Sequence, residues 1–242
     1  AWFEREGFGY DVYSESQLHD GTLDLDAYKV LVISVHPEYW SRQMYQRVKS
    51  WVHERGGRFM YLGGNGLNCE VEFLDDATLH FRTQNPTPGG EFRYVDPETG
   101  RSIESRFDRT YESEANLLGV VMTETGIMTS APYKVIKADH WIFAGTGLRD
   151  GDVFGQGNQH ERCPGGASGH ETDKMSPSSP QGTVLLAKGL NPDDGGAEMV
   201  YYDLPNGAAV FSVGSITYPA SLLVDPAVSR ITANVLSRFL AE

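Results

Sequence analysis

The stretch from residue 28 to residue 66 most restricts what this chain can fold into. "YKVLVISV" is apolar and largely β-branched, as expected of a strand covered on both faces. "SRQMYQRVKSWVHERGG" follows, with Met44, Val48, Trp51 and Val52 on one helical stripe, Ser41 at the N-cap position and Gly56-Gly57 at the end. "RFMYLGGNG" then reads as a second buried strand that breaks into a Gly-rich turn. Strand, helix and strand at this length make a βαβ unit, whose two strands run parallel.

Around this unit the pattern is less regular. Residues 1–21 read as the end of a helix followed by a short strand, and the missing initiator Met suggests a fragment of a larger chain. Residues 75–115 are polar and rich in turn residues ("NPTPGGEFRYVDPETGRS"), an insertion with short antiparallel strands or a cover over a site. Residues 150–182 are too polar and Gly-rich for core, and a loop of that length in a domain is usually functional or disordered. "GTVLLAKG", "AEMVYYDL" and "GAAVFSVGS" then read as three strands. Asp225-Pro226 caps and starts a helix with Val228, Ile231, Val235 and Phe239 on its core face. The expectation is one α/β domain over residues 1–242: a flavodoxin-like three-layer sandwich around a mostly parallel sheet, carrying a polar insertion.

With 33 acidic against 20 basic residues, the net charge of −13 argues against nucleic acid and anionic membranes as partners, since both need a basic face. No apolar run approaches the ~20 residues that span a bilayer. Two lone cysteines, Cys69 and Cys163, form no disulfide framework and no zinc spacing, which suits a reducing, cytoplasmic setting.

In open parallel sheets, ligands bind beyond the carboxyl ends of the strands. Two such ends are legible, His36-Pro37-Glu38-Tyr39-Trp40 and Gly63-Gly64-Asn65-Gly66, and both open on one edge if the strands are neighbours. Plainer readings stand beside this one. Pro37 also stops a strand, Glu38 suits the approach to a helix N-terminus, and Tyr39 with Trp40 can close over the core. The turn "GGNG" can cradle a phosphate with its backbone N–H groups, but it lacks the P-loop Lys and any Ser or Cys of a nucleophile elbow. "GGASGHETDK" sets His170, Glu171 and Asp173 in a Gly-rich loop, where Glu171 serves as a general base or simply as a solvated acid. "RTYESEANLL" adds Tyr111, Glu112 and Glu114. Phenolate and carboxylate oxygens form a hard ligand set suited to Fe(III), and Tyr39 with a Glu from the insertion are the residues that would converge.

Taken in order, "YKVLVISVHPEYWS", "GGRFMYLGGNG", "GGASGHETDK", "AVFSVGSI" and "VSRITANVLSRFL" resemble the C-terminal, class I glutamine-amidotransferase-like domain of the N,N-dimethylformamidase large (beta) subunit family. The resemblance implies an amidohydrolase that splits a small formamide into formate and an amine, working in a larger multidomain chain or oligomer, with a small subunit as a further partner. It also implies a mononuclear Fe3+ held by two tyrosines and a glutamate. Tyr39 matches one tyrosine, and Glu112 or Glu114 the carboxylate. Glu171 matches the acid/base residue, with His170 and His36 beside it, and Glu38, Asn65 and Asn68 face the substrate. Asn68 stands where the family pattern has a tyrosine fit to be the second ligand, with Cys69 and Glu70 next in line, and the pattern's "GE-x-GGLW" is reduced here to "YESEANLLG". The competing expectation is a non-catalytic glutamine-amidotransferase-like domain that binds a small molecule or a partner; a third is a thiol hydrolase using Cys69.

Overall fold

A computed structural model describes residues 1–83 and 93–241. Its centre is a seven-stranded sheet formed by β1 (Val30–Val35), β2 (Arg58–Gly63), β3 (Tyr133–Val135), β4 (Val153–Phe154), β5 (Val184–Gly189), β6 (Glu198–Asp203) and β7 (Ala209–Ser212). The spatial order is β1-β2-β7-β6-β5-β3-β4. The expected βαβ unit is present: β1 and β2 pair in parallel from Val30 opposite Arg58 to Val35 opposite Gly63. Helix α1 (Arg42–Arg55) crosses between them, its Ser41 hydroxyl accepting from the Met44 N–H at 3.2 Å and Gly56 ending it in the left-handed region.

The expectation of a mostly parallel sheet is corrected. Only β1–β2 and β2–β7 are parallel; the other four pairings are antiparallel. The reason lies in the connections. Residues 190–197 and 204–208 are too short for a crossover, so β5, β6 and β7 fold back on one another as a meander. The sheet is therefore mixed, and a flavodoxin-like parallel sandwich does not describe it.

Apolar side chains cover both faces. Phe59 and Tyr61 of β2 pack with Val48, Trp51 and Val52 of α1 on one side. Met60 and Leu62 pack with Val228, Ile231, Val235 and Phe239 of α2 (Pro226–Ala241) on the other. The Asp225 carboxylate caps α2, accepting from the Ala227 and Val228 N–H groups at 3.0 Å each. Within residues 75–115, Tyr94–Val95 pairs antiparallel with Ser102–Ile103, as expected of the insertion, while Thr78–Phe81 pairs antiparallel with Cys69–Asp75, a strand that begins before it. The part of that expectation that falls on residues 84–92 lies outside the described residues. Among the described residues, no helix is long and apolar enough to cross a membrane.

Candidate active site

Strand β1 ends in strained backbone. Val35 holds φ at 71°, a conformation that a β-branched residue rarely adopts, and the chain turns there into His36-Pro37-Glu38. Asn65, in the turn after β2, has φ 50°, and His170, immediately before Glu171, has φ 67°. Three non-glycine residues in the left-handed region thus flank one point, and strain of this kind gathers at functional sites.

The glycines of "GGNG" explain how the third segment reaches that point. A Cβ on Gly64 would run into the carbonyl oxygen of Glu171, and one on Gly66 would meet the Tyr61 phenol. The turn is therefore glycine-rich so that the loop carrying Glu171 can lie against it. Its N–H groups are already used, Gly64 donating to the Val35 carbonyl at 3.1 Å and Asn65 to an Asp173 carboxylate oxygen at 2.8 Å. This removes the phosphate-cradle reading of the turn.

What assembles is a set of four charges. The His36 Nε2 lies 3.1 Å from Glu38 and 3.0 Å from Glu171. The buried Arg106 guanidinium pairs with the other oxygen of Glu38. Asn65 donates from Nδ2 to Glu171 at 2.8 Å, and Asn68 donates to the Asn65 Oδ1 at 2.6 Å, which fixes the orientation of that amide. Asn65 Nδ2 is also 3.2 Å from His36 Nε2. Because Nε2 faces two carboxylates it must carry a proton, so both nitrogens are donors and converge on Glu171 rather than bonding each other.

The protonation states follow. Hydrogen bonds donated to Glu171 and then to Glu38 push the His36 pKa up to about 9, so the ring is an imidazolium at neutral pH. Burial pushes Glu38 up, but His36 and Arg106 outweigh it and hold the carboxyl at about 2. Glu171, also opposed by burial, is pulled below the ordinary carboxylate range by His36 and Asn65. Two carboxylates against an imidazolium and a guanidinium leave the site with no net charge, which suits a neutral substrate.

The His36 shift makes a stability prediction. An unfolded imidazole titrates near ~6.5, and the folded one near about 9. Between these values the folded state holds the extra proton, so stability falls as pH rises through the window. Glu114 and Asp173, which burial pushes up to about 8 and about 7, act with the same sign from the ordinary carboxylate range up to those values. Denaturant titrations should show stability declining from pH 6.5 to 9 and a shallower decline in His36→Gln. An unchanged slope in the variant would contradict the imidazolium.

The other expected residues are placed as follows. The Tyr39 phenol hydrogen-bonds Glu38 while its ring meets Phe81 edge-on, 5.0 Å between centroids. Glu112 is bound to Lys49 at 2.6 Å, beside Tyr45 on α1. Glu114 is buried, accepts from the Ser105 hydroxyl, and has no hydrogen-bond partner for Oε1 among the described residues. With its pKa at about 8 it is a neutral acid at pH 7. Tyr39 is engaged with Glu38, Glu112 with Lys49 and Glu114 with Ser105, so these three side chains as placed are held by separate partners and do not form a tyrosine–glutamate iron set. Among the described residues, no group of three His, Cys, Asp or Glu side chains is placed to hold a metal ion. Glu70, the substitute considered for a ligand, is held by Arg42 at 3.1 and 3.2 Å. Cys69 is buried, and burial raises its thiol pKa, the reverse of an activated nucleophile. The His170 ring packs against His160 at 5.3 Å, and burial lowers its pKa.

Two participants carried no clear signal in the sequence. Arg106 lies in the polar insertion, where nothing local sets it apart from Arg101 or Arg109. Asp173 stood in view only as part of an acidic loop, yet it is buried and anchors the Tyr61 hydroxyl and the Asn65 N–H at 2.8 Å each. Its alternation with Glu171 on either side of Thr172 was the available clue, since Thr172–Lys174 is a short strand.

Comparison with known proteins agrees with the motifs. The family described as "N,N-dimethylformamidase beta subunit-like, C-terminal" matches residues 1–230. The N,N-dimethylformamidase beta subunits of Paracoccus aminophilus and an Alcaligenes species are each 28% identical over an alignment of 288 positions that takes in the whole chain. The chain spans 36% of the length of each relative.

Proposed function

Because the chain belongs to the N,N-dimethylformamidase beta subunit-like C-terminal family, we propose that it is the hydrolytic part of an amidohydrolase that cleaves a small, neutral formamide into formate and an amine. The observation that carries this reading is the His36 imidazolium seated between Glu38 and Glu171 at the end of β1. An amide resists attack because nitrogen donates into the carbonyl. Hydrolysis therefore needs an activated water and a proton delivered to the departing amine. Glu171 is the acceptor for the water proton. It is the less enclosed of the two carboxylates, with 20% of its side chain exposed against 9% for Glu38. His36 supplies the proton to nitrogen, and Glu38, clamped by Arg106, keeps the ring charged and aimed. No step is assigned to iron, since Tyr39, Glu112 and Glu114 as placed are held by separate partners.

The relatives are named as subunits, so we place this chain in a larger assembly. The test is release of formate and dimethylamine from N,N-dimethylformamide by the purified protein. Both products should appear in equal amounts, and activity should fall on the alkaline side as His36 loses its proton near pH 9. Absence of both products with all short N-alkyl formamides would favour the second reading, a binding domain. That reading draws on the fact that each charge of the cluster already has a partner inside the protein.

A further inference from the structure

Strand β1 is unguarded. Its neighbour is β2 on one side, and among the described residues no strand pairs with the other side. The sequence "VLVISV" places no proline or charge within the strand. Such a strand is an open template for pairing, and proteins normally cover or blunt it. The consequence shows in burial. Phe59 to Leu62 of β2 are buried, whereas Val30 to Ile33 of β1 are only half-buried and Val35 is 47% exposed.

A groove of about 510 Å³ runs along this open edge. One wall is β1 from Val30 to Ser34; the other is residues 9–14, with Leu236 and Leu240 of α2 and Leu18 and Leu25 filling out its sides. Residues 9–14 fall within residues 1–21, where the sequence suggested a short strand after a helix, yet they join no sheet. Val12 in that segment is 82% exposed and lines the groove. At one end Tyr28 bridges the walls, sharing a hydrogen bond with the Tyr13 phenol at 2.6 Å and donating to Asp11 at 2.7 Å. Among the described residues, neither of these two walls has a strand paired to it on the side that faces the apolar slot.

We propose that this slot is filled by a β-strand from a part of the polypeptide outside these 242 residues, one that pairs with β1 and with residues 9–14 and extends the sheet on that side. The chain spans 36% of the length of its relatives, so polypeptide of that kind is at hand in the family. A strand inserted beside β1 also ends beside His36. The segment that closes the sheet then supplies a wall of the candidate active site and packs over Val35. This inference stands apart from the assignment of chemistry, because it rests on the sheet edge alone.

The experiment uses the protein expressed from its complete reading frame. Val12→Cys is labelled with a maleimide and compared by mass spectrometry with Val95→Cys, a control on the insertion that is 65% exposed here. Cys69 and Cys163 are buried and do not compete. Hydrogen exchange at residues 30–35 is followed in the unsubstituted protein. A filled groove slows labelling at residue 12 by at least about tenfold relative to the control, and protects the β1 amides that do not face β2. Labelling within about twofold of the control, with fast exchange along β1, overturns the proposal. Protection that grows with protein concentration overturns it in favour of a second copy.

Discussion

Glu171→Gln is expected to lower formamide turnover by about 10²- to 10⁴-fold, the usual contribution of a positioned general base. The amide matches the carboxylate in shape, so the loop packed on Gly64 keeps its course. Its oxygen can still accept from Asn65, but it has no charge to take a proton from water. Its NH2 group, if turned toward His36, faces another donor across the 3.0 Å that the carboxylate now spans. With Glu38 as its remaining carboxylate, His36 loses its larger source of stabilisation, and its pKa should fall from about 9. The alkaline limb of any residual activity then moves to lower pH, and NMR of the ring carbons follows the same shift directly. Metal content should not change, because Glu171 is not among the residues considered as ligands, Tyr39, Glu112 and Glu114 with Cys69 or Glu70 as substitutes. Turnover within about threefold of the parent would place the base elsewhere and remove Glu171 from the mechanism.

How far the site was legible depends on how local its causes are. The ends of β1 and β2 could be read because a buried apolar run that stops in His-Pro-Glu or Gly-Gly-Asn has few places to be in an α/β protein. The meander of β5, β6 and β7 was also in the sequence, as three strand-like runs with no helix between them. The parallel expectation gave too much weight to the single βαβ unit at the start. The meeting of His36 with Glu171 was not legible, since it depends on a contact between segments 135 positions apart that only the Gly64 close approach permits. Tyr39, Glu112 and Glu114 came as an expected metal set from resemblance. In the fold, Lys49 and Ser105 claim the two carboxyl groups, and neither pairing has a sequence signature. Asn68, which stands in place of a tyrosine in the family pattern, is held between the Asn65 amide and the Arg106 N–H. It orients the cluster from behind, a role that no local pattern in the sequence reveals.

Arg106→Leu is expected to destabilise the protein by about 3–5 kcal/mol, the cost of removing one partner from a buried ion pair. Glu38 is 7% exposed and Arg106 equally so, and they pair directly. Without the guanidinium, Glu38 keeps His36 and the Tyr39 phenol as partners but loses one of the two charges that together hold it at about 2. A loss of that size is a large share of the ~5–15 kcal/mol that keeps a typical protein folded. The pH dependence separates this from simple loss of packing. In the parent, a carboxyl held well below the ordinary range contributes stability above that range, and the contribution fades as pH falls toward about 2. In the variant the Glu38 pKa rises, so that contribution shrinks. The stability gap between the two proteins should therefore be widest near neutrality and narrow in acid. Adding Glu38→Gln to Arg106→Leu should recover part of the loss, since the carboxylate left without its guanidinium goes with it. Guanidinium titrations at neutral and acid pH measure all three quantities. A loss below about 1 kcal/mol, equal at both pH values, would mean that the pair behaves like a solvated surface contact. Arg106 would then not be what keeps Glu38 ionised and the His36 ring in place.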